Sequence, residues 1–184
     1  MFKGTSASAG IGIGKAVIVE EAELVITRNE VADAEAEIQR FKGALEKTIA
    51  TQKMADDLAS RVGEKEAEIM QGHMMLLSDP MLTGEIENSV KNDKVNCEFA
   101  IENVCNMYAD MFASMGDELM QQRATDMRDI KVRMQRTLMG LESVDVSLLP
   151  KGSILVAKDL TPSMTAGINP ENVSGIVTEL GGKT

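Results

Sequence analysis

Apolar residues recur every three or four positions through the middle of the chain, which is the spacing of one-sided helical stripes. The first stripe consists of Val31, Ala34, Ile38, Phe41, Leu45 and Ile49. Asn29 is the predicted N-cap of this helix, because a side-chain oxygen there can accept a free backbone N–H. Glu30 and Asp33 favour the positive end of the helix dipole. The pattern therefore predicts a long amphipathic helix that begins just after Asn29.

The next two predicted helices are separated by short breaks in the pattern. Gly63 interrupts the first stripe, and a second helix is predicted from about Glu64 to Leu77. Asp79 followed by Pro80 is typical of a new helix start, with aspartate as the cap and proline in the first turn. This stretch is therefore predicted to hold one medium helix and one shorter helix.

Two further stripes complete the helical centre of the chain. They consist of Cys97, Ile101, Val104, Tyr108, Met111 and Met115, and of Met120, Ala124, Met127, Ile130, Met134 and Leu138. The first of these helices is predicted to end near Gly116, and Asp117 is the predicted cap of the second, which Gly140 stops. Short connections between amphipathic helices favour antiparallel packing, so residues 29–145 are predicted to form a helical bundle.

Short β-branched runs replace the helical stripes near both ends of the chain. The runs are Ala16–Val19, Ile154–Ala157 and Ile176–Thr178. A short helical stretch from Thr161 to Ala166 separates the last two runs, and strand, short helix, strand is the unit of a small α/β domain. We therefore expect residues 1–28 and 146–184 to form one α/β domain, with the all-α helical bundle inserted in it.

The net charge of −10 is unevenly distributed along the chain. Residues 29–145 hold 23 acidic and 13 basic side chains, whereas the flanks hold six of each, and 12 of the 14 methionines are central. This acidity, with four Phe, one Tyr and no Trp, argues against a nucleic-acid partner. Without an apolar run of membrane-spanning length or a signal-peptide profile at the start, no membrane association is expected, and the cytoplasm is the expected compartment.

Two motifs that suggest chemistry are better explained by structure. Cys97 and Cys105 are too few and too regularly spaced for a disulfide framework or a zinc site, so reduced core thiols are predicted. The segment from Gly10 to Lys15 resembles a phosphate loop but lacks its first glycine and its final Ser or Thr. A glycine-rich turn before a strand is predicted there.

The only histidine, His73, allows two interpretations. Without a neighbouring metal-ligand pattern it is either a core residue or part of an interface. Together with His73, the apolar residues Leu76, Leu77, Met81 and Leu82 exceed what a single bundle-facing stripe requires. Methionine-rich helix surfaces often form adaptable binding sites, so partner binding stays open as the second interpretation.

Charged and polar loops complete the set of candidate features. Arg123, Asp126, Arg128 and Asp129 alternate in charge and predict a solvated helix face with paired side chains. Segments 159–163 and 181–184 follow predicted strands and have the composition of functional loops. The double glycine of the second segment would let backbone N–H groups approach an anion.

Five separated segments resemble enzyme I of the bacterial phosphoenolpyruvate-dependent sugar phosphotransferase system. They are residues 7–16, 72–80, 123–130, 159–163 and 181–184, which match the family in order and spacing. The resemblance implies an incomplete swivelling phosphohistidine domain of α/β type, with an inserted all-α bundle that docks the phosphocarrier protein HPr. In that family a histidine takes phosphate from phosphoenolpyruvate and passes it to a histidine of HPr.

The resemblance also implies what this chain lacks. The active histidine of the family lies just beyond the position of Thr184, so the fragment is expected to bind HPr without transferring phosphate. Phosphoenolpyruvate and Mg²⁺ would be bound by a C-terminal domain of the parent, which would also form the homodimer. No cofactor is expected in the fragment itself.

Site residues carry over from the family motif by motif. Thr161 would orient the active histidine, and Gly181, Gly182 and Thr184 would shape the backbone around its phosphorylated ring. The implied HPr-binding residues are Glu64, Glu68, His73, Met75, Leu76, Asp79, Leu82, Phe112, Leu119, Met120 and Arg123, with the two glutamates as an acidic rim.

Two alternatives remain beside this resemblance. One is a relative of pyruvate phosphate dikinase or phosphoenolpyruvate synthase, which have a similar swivelling domain but no bundle inserted in this way. The other is a non-catalytic helical interaction module, which predicts that no Ser-His pair follows residue 184.

Overall fold

The computed structural model describes residues 4–20, 23–59, 64–141 and 145–180. Within these ranges, only the backbone is described at 54–59, 64–70, 162, 163 and 166. The helices are α1 (Ala34–Ala59), α2 (Glu64–Leu77), α3 (Pro80–Asp93), α4 (Cys97–Ser114), α5 (Glu118–Leu138) and α6 (Pro162–Gly167), with a 3-10 turn at Val146–Leu148. The strands are β1 (Lys15–Val19), β2 (Ser153–Ala157) and β3 (Val173–Thr178).

The described residues form two compact units. The sheet unit takes in those of 1–20, 144–160 and 168–184, and the helical unit takes in those of 21–143 and 161–167. Helix α6 thus belongs to the helical unit, where it packs against α1 and α2. The structure is mostly helical with a small parallel sheet, which agrees with the coarse fold expected from the sequence, while the exact domain limits stay a prediction. Among the described helices, none combines the length and the apolar character that a membrane crossing needs.

Helix α1 begins at Ala34. With Asn29 as its cap, the helix would have begun four residues earlier. Its cap is Asp33, whose Oδ1 accepts the backbone N–H groups of Glu35 at 3.1 Å and Ala36 at 3.0 Å. The prediction of Asn29 as N-cap is therefore wrong, although the helix it introduced is present.

Asn29 is extended because it pairs with a distant part of the chain. The backbone carbonyl of Asn29 accepts the N–H of Asn96 at 3.0 Å, and Val31 donates to the carbonyl of Lys94 at 2.9 Å. The side chain of Asn96 also accepts the N–H of Asn29. These contacts span more than sixty positions, so local cap propensity did not decide where α1 starts.

The other predicted helix starts are confirmed. Asp79 accepts the N–H of Met81 at 2.8 Å with Pro80 in the first turn of α3. Asp117 accepts the N–H of Leu119 at 3.0 Å at the start of α5. In each case the capping aspartate and the N–H donor lie two residues apart, so the signal is local and the sequence carries it.

A tightly packed core joins α1, α3, α4 and α5 with the end of α2. Its fully buried members include Phe41, Leu77, Ile86, Ile101 and Ile130. The predicted core thiols are confirmed: Cys97 and Cys105 are buried and free. Burial raises the pKa of each thiol to about 12, and at Cys97 the carboxylate of Glu37 adds to the shift.

The first turn of α4 is capped from a different helix. The side chain of its N-cap residue, Asn96, makes no capping bond within α4. Instead, Oε1 of Glu37 in α1 accepts the N–H of Cys97 at 2.8 Å. Hydrogen bonds from Arg40 are the main cause that lowers the pKa of Glu37, and the bond from Cys97 adds to the effect. A charged side chain of α1 therefore stabilises the positive end of α4.

The sheet is parallel with strand order β1-β2-β3. Val17 pairs with Leu155, which pairs with Ile176. The segment before β1 is a loop, as predicted, and two of its glycines, Gly12 and Gly14, are needed for space. A Cβ on Gly14 would overlap the carbonyl oxygen of Gly152, with which β1 begins its pairing.

Candidate docking face

The alternating charges of α5 do not form a solvated face. Asp126 is 2% exposed and Asp129 is 4% exposed, and both lie beside His73 of α2, which is fully buried at 0%. The prediction of a solvated face is therefore wrong for the two aspartates, although Arg128 is exposed. The spacing of the charged residues in α5 fits a buried helix face as well as an exposed face with paired charges. Only the position of α2 distinguishes the two.

These three buried residues and the partly exposed Arg123 form a row of polar side chains, Arg123, Asp126, His73 and Asp129, which we define as the buried polar chain. Nη1 of Arg123 donates to Oδ2 of Asp126 at 3.4 Å, and Oδ1 of Asp126 faces Nε2 of His73 at 3.4 Å. Oδ2 of Asp129 lies 3.7 Å from Nδ1 of His73, which is beyond hydrogen-bond distance. Buried charges persist only with partners, so this chain ties α2 to α5.

Of the two interpretations of His73, the structure supports the core position. Its side chain contacts carboxylates on both ring nitrogens and reaches no surface. The resemblance implies a role of His73 in partner binding. Because His73 is buried, such a role would be indirect and would act through the residues that His73 contacts.

Arg123 crosses α2 at Gly72. A Cβ on Gly72 would overlap Nη1 of Arg123 and would lie 3.3 Å from its Cζ. The guanidinium thus lies against the backbone of α2 while its side chain remains 31% exposed. Helices α2 and α5 therefore meet at the surface where Gly72 faces Arg123.

Apolar side chains surround this crossing on both helices. Met75 is one turn beyond Gly72 on α2 and is 70% exposed. Leu119 is one turn before Arg123 on α5 and is 54% exposed. We define the docking face as Met75, Leu76, Leu119, Met120 and Arg123. It combines the exposed Met75 and Leu119 with the partly buried Leu76 and Met120 and with one guanidinium.

The structure places the other predicted contact residues differently. Leu82 is a fully buried core residue, and Phe112 is partly buried and packs against the core, with its ring 6.4 Å from that of Tyr108. Asp79 is partly buried and serves as the cap of α3. The side chains of Glu64 and Glu68 lie outside the described residues, so the acidic rim stays a prediction.

A row of exposed methionines on α4 was not predicted as surface. Met107, Met111 and Met115 are spaced by four and are all exposed. The sequence pattern assigned Met111 and Met115 to the core stripe, which is wrong. Ala109 and Phe112 take the inward positions in the last turns of α4. Apolar character alone cannot distinguish a methionine in the core from one at a binding surface.

Of the residues predicted for phosphohistidine chemistry, the structure describes Thr161 only. Its Oγ1 accepts the N–H of Met164 at 3.3 Å, and its carbonyl accepts the N–H of Thr165 at 2.9 Å. Thr161 therefore begins helix α6. Gly181, Gly182 and Thr184 lie outside the described residues.

Comparison with known families and proteins identifies the relatives of this chain. Residues 3–123 match the family described as PEP-utilising enzyme, N-terminal, and residues 149–184 match the family described as PEP-utilising enzyme, mobile domain. The phosphoenolpyruvate-protein phosphotransferases of Listeria monocytogenes and Bacillus subtilis are 41% and 39% identical over 184 residues. The chain spans 32% of the length of each.

Solved structures show the same fold. An NMR solution structure of an Enzyme I protein matches 100% of this chain and 75% of its own with a TM-score of 0.92 and 36% identity. The N-terminal domain of Enzyme 1 - Nitrogen matches 94% of this chain and 71% of its own with a TM-score of 0.68 and 24% identity, which supports the fold alone. Since the first family covers well over half of its length, the chain belongs to the family of PEP-utilising enzymes represented by their N-terminal region.

Proposed function

We propose that this chain is the N-terminal part of a phosphoenolpyruvate-protein phosphotransferase and that its helical unit docks the phosphocarrier HPr. The relatives that carry this activity in their names align with the whole chain, which favours it over a dikinase relative or a non-catalytic module. The observation that carries the docking role is the crossing of α2 and α5, with Met75 and Leu119 exposed one helical turn from Gly72 and Arg123.

Charge and apolar contact have separate roles in the proposed docking. The excess of ten acidic side chains within residues 29–145 would steer a basic phosphocarrier toward the helical unit. Desolvated apolar side chains would then supply most of the binding free energy, as hot spots do in protein interfaces. Methionine suits this role because its unbranched side chain repacks against different surfaces.

The phosphoryl-transfer part of the proposal concerns the whole parent protein. There the α/β region would act as a swivelling phosphohistidine domain, with Thr161 orienting the active histidine and Gly181, Gly182 and Thr184 shaping the backbone beside it. Thr161 lies just before α6, and its hydroxyl oxygen accepts a hydrogen bond from the backbone N–H of Met164 in that helix. The parent would act in the cytoplasm as a homodimer.

Phosphoenolpyruvate and Mg²⁺ are proposed to bind in the part of the parent that this chain does not span. Magnesium prefers carboxylate oxygens together with substrate phosphate groups. Within the described ranges, there is no group of three or more His, Cys, Asp or Glu side chains that could hold a metal ion. The proposal therefore assigns no metal ligand to the described residues.

An NMR titration of the 184-residue chain with HPr tests the docking role. We expect resonances of Leu76 and Arg123 to shift, and binding to weaken as salt concentration rises. Met75→Ala should raise Kd about fivefold to tenfold, since truncating a contact residue of this kind costs about 1 kcal/mol or more. Met139→Ala is the matched control, because Met139 is an exposed methionine outside the docking face. A flat titration, or equal effects of the two variants, would contradict the assignment.

Phosphoryl transfer is tested on the complete parent. Incubation with labelled phosphoenolpyruvate, Mg²⁺ and HPr is expected to label HPr on a histidine. Absence of label on HPr, with a parent that is folded, would reject the proposed activity.

A further inference from the structure

We propose that Gly72 and the buried polar chain together position the guanidinium of Arg123 on the docking face before a partner arrives. The inference rests on the proposed docking function and adds a positioning device to it. Neither Gly72 nor Asp126 needs to touch the partner for this role.

The absence of a side chain at Gly72 is explained by space and not by backbone conformation. Glycine weakens a helix interior relative to alanine, so its presence in α2 has a cost. Gly72 lies within a regular helix, and no left-handed φ requires glycine there. A Cβ would instead overlap Nη1 of Arg123. The position therefore serves the arginine and not the fold of α2.

The second half of the device is the carboxylate of Asp126. Its Oδ2 accepts from Nη1 of Arg123 at 3.4 Å, while its Oδ1 faces Nε2 of His73 at 3.4 Å. Asp129 lies against the other ring nitrogen of His73. Asp126 is buried between two partners, so the orientation of its carboxylate is restricted. The hydrogen bond to this carboxylate in turn restricts the orientation of the Arg123 guanidinium.

The consequence is a preorganised donor. A free arginine loses considerable rotamer freedom when it binds, and holding it in place beforehand reduces this loss. One edge of the guanidinium faces Gly72 and Asp126, and its remaining exposure leaves other N–H groups for a hydrogen-bond acceptor on HPr. An arginine fixed in this way favours a partner whose hydrogen-bond acceptor lies in the matching position. The acidic surroundings, in contrast, favour any partner with a positive charge.

A double-mutant cycle on the 184-residue chain tests the proposal. Gly72→Ala should weaken HPr binding roughly tenfold, about 1.4 kcal/mol, in a chain that remains folded. The overlap falls on the end of a flexible side chain, which can move away while the helix keeps its shape. Arg123→Ala should weaken binding to a similar extent. The double variant should bind no worse than Arg123→Ala, because the effect of Gly72→Ala acts through the arginine.

Gly43→Ala is the matched control, since Gly43 is also helical and a Cβ there meets nothing within 4 Å. It should leave HPr binding unchanged. Additive effects in the double variant, or wild-type binding by Gly72→Ala when Arg123→Ala is weakened, would overturn the positioning role. Wild-type binding by Arg123→Ala would remove the arginine from the docking face and overturn it as well.

A readout without a partner separates this inference from the docking proposal. The Nε–H resonance of the Arg123 side chain should shift in Gly72→Ala and stay in place in Gly43→Ala. An unchanged resonance in Gly72→Ala would refute the positioning role even where HPr binds. If the resonance shifts as expected and the wild-type chain does not bind HPr, the docking proposal fails and the geometric inference stands.

Discussion

Replacing Asp126 by alanine is expected to destabilise the helical unit by about 3 kcal/mol. Asp126 is 2% exposed, accepts a hydrogen bond from Arg123 on Oδ2 and has Nε2 of His73 beside Oδ1. Breaking a buried ion pair by removing one partner usually costs about 3–5 kcal/mol. Both contacts are long at 3.4 Å, and the partly exposed Arg123 can be hydrated after the change, so the lower end of that range applies.

Asp110→Ala is the matched control for this prediction. Asp110 is also a helical aspartate paired with an arginine, with its Oδ1 3.8 Å from Nη2 of Arg128. Its side chain is 81% exposed, so solvent screens the pair. Such surface pairs contribute between about 0 and 1 kcal/mol, and a change below about 0.5 kcal/mol is expected.

Urea unfolding followed by tyrosine fluorescence measures both variants. Tyr108 is the only tyrosine, the chain has no tryptophan, and Tyr108 lies in α4, so the signal reports the helical unit. With an m-value of roughly 1.5 kcal/mol per molar urea, a loss of 3 kcal/mol lowers the midpoint by about 2 M. Equal midpoints for Asp126→Ala and Asp110→Ala would refute the argument that burial gives the polar chain its importance.

Two further outcomes follow from the described contacts. Cys97 and Cys105 should resist a thiol reagent such as iodoacetamide at pH 8 and react once the chain unfolds, because burial keeps both thiols protonated, and mass spectrometry after native labelling checks this. Glu37→Gln should lower the free energy of unfolding by about 1–2 kcal/mol near neutral pH through loss of charged hydrogen bonds to Arg40. Since the folded state lowers the pKa of Glu37, its contribution is present above the ordinary value of 4.5 and disappears as pH falls below it, so the wild-type and variant stabilities should converge in acid.

Helix identity and most helix ends were predictable from local signals. The bounds of α2, the aspartate and proline at the start of α3 and the cap at Asp117 all match the sequence prediction. Each of these signals depends on residues within one turn of the helix end. The apolar excess near Leu76 is also a local signal, and the partner surface predicted from it stays a prediction.

The residues of the candidate site come from the resemblance and stay a prediction, whereas their arrangement could not be derived from the sequence. The resemblance to enzyme I indicated Met75, Leu119 and Arg123, and the structure shows the first two exposed beside the third. It could not indicate that His73 is buried. Burial depends on which helix covers a given stripe, and spacing within one helix carries no such information.

The sequence by itself therefore determined the helices, the three strands, the acidic character of the central region and the family of the chain. The tertiary structure decided that Asp33 and not Asn29 caps α1, which carboxylate caps α4, and which charges of α5 are buried. All three depend on contacts between distant segments: Asn29 with Asn96, Glu37 with Cys97 and His73 with Asp126. A polar residue can be suited by its sequence both to the surface and to a paired position in the interior. Contacts with distant segments decide between the two, because a polar group that is buried without a partner costs free energy.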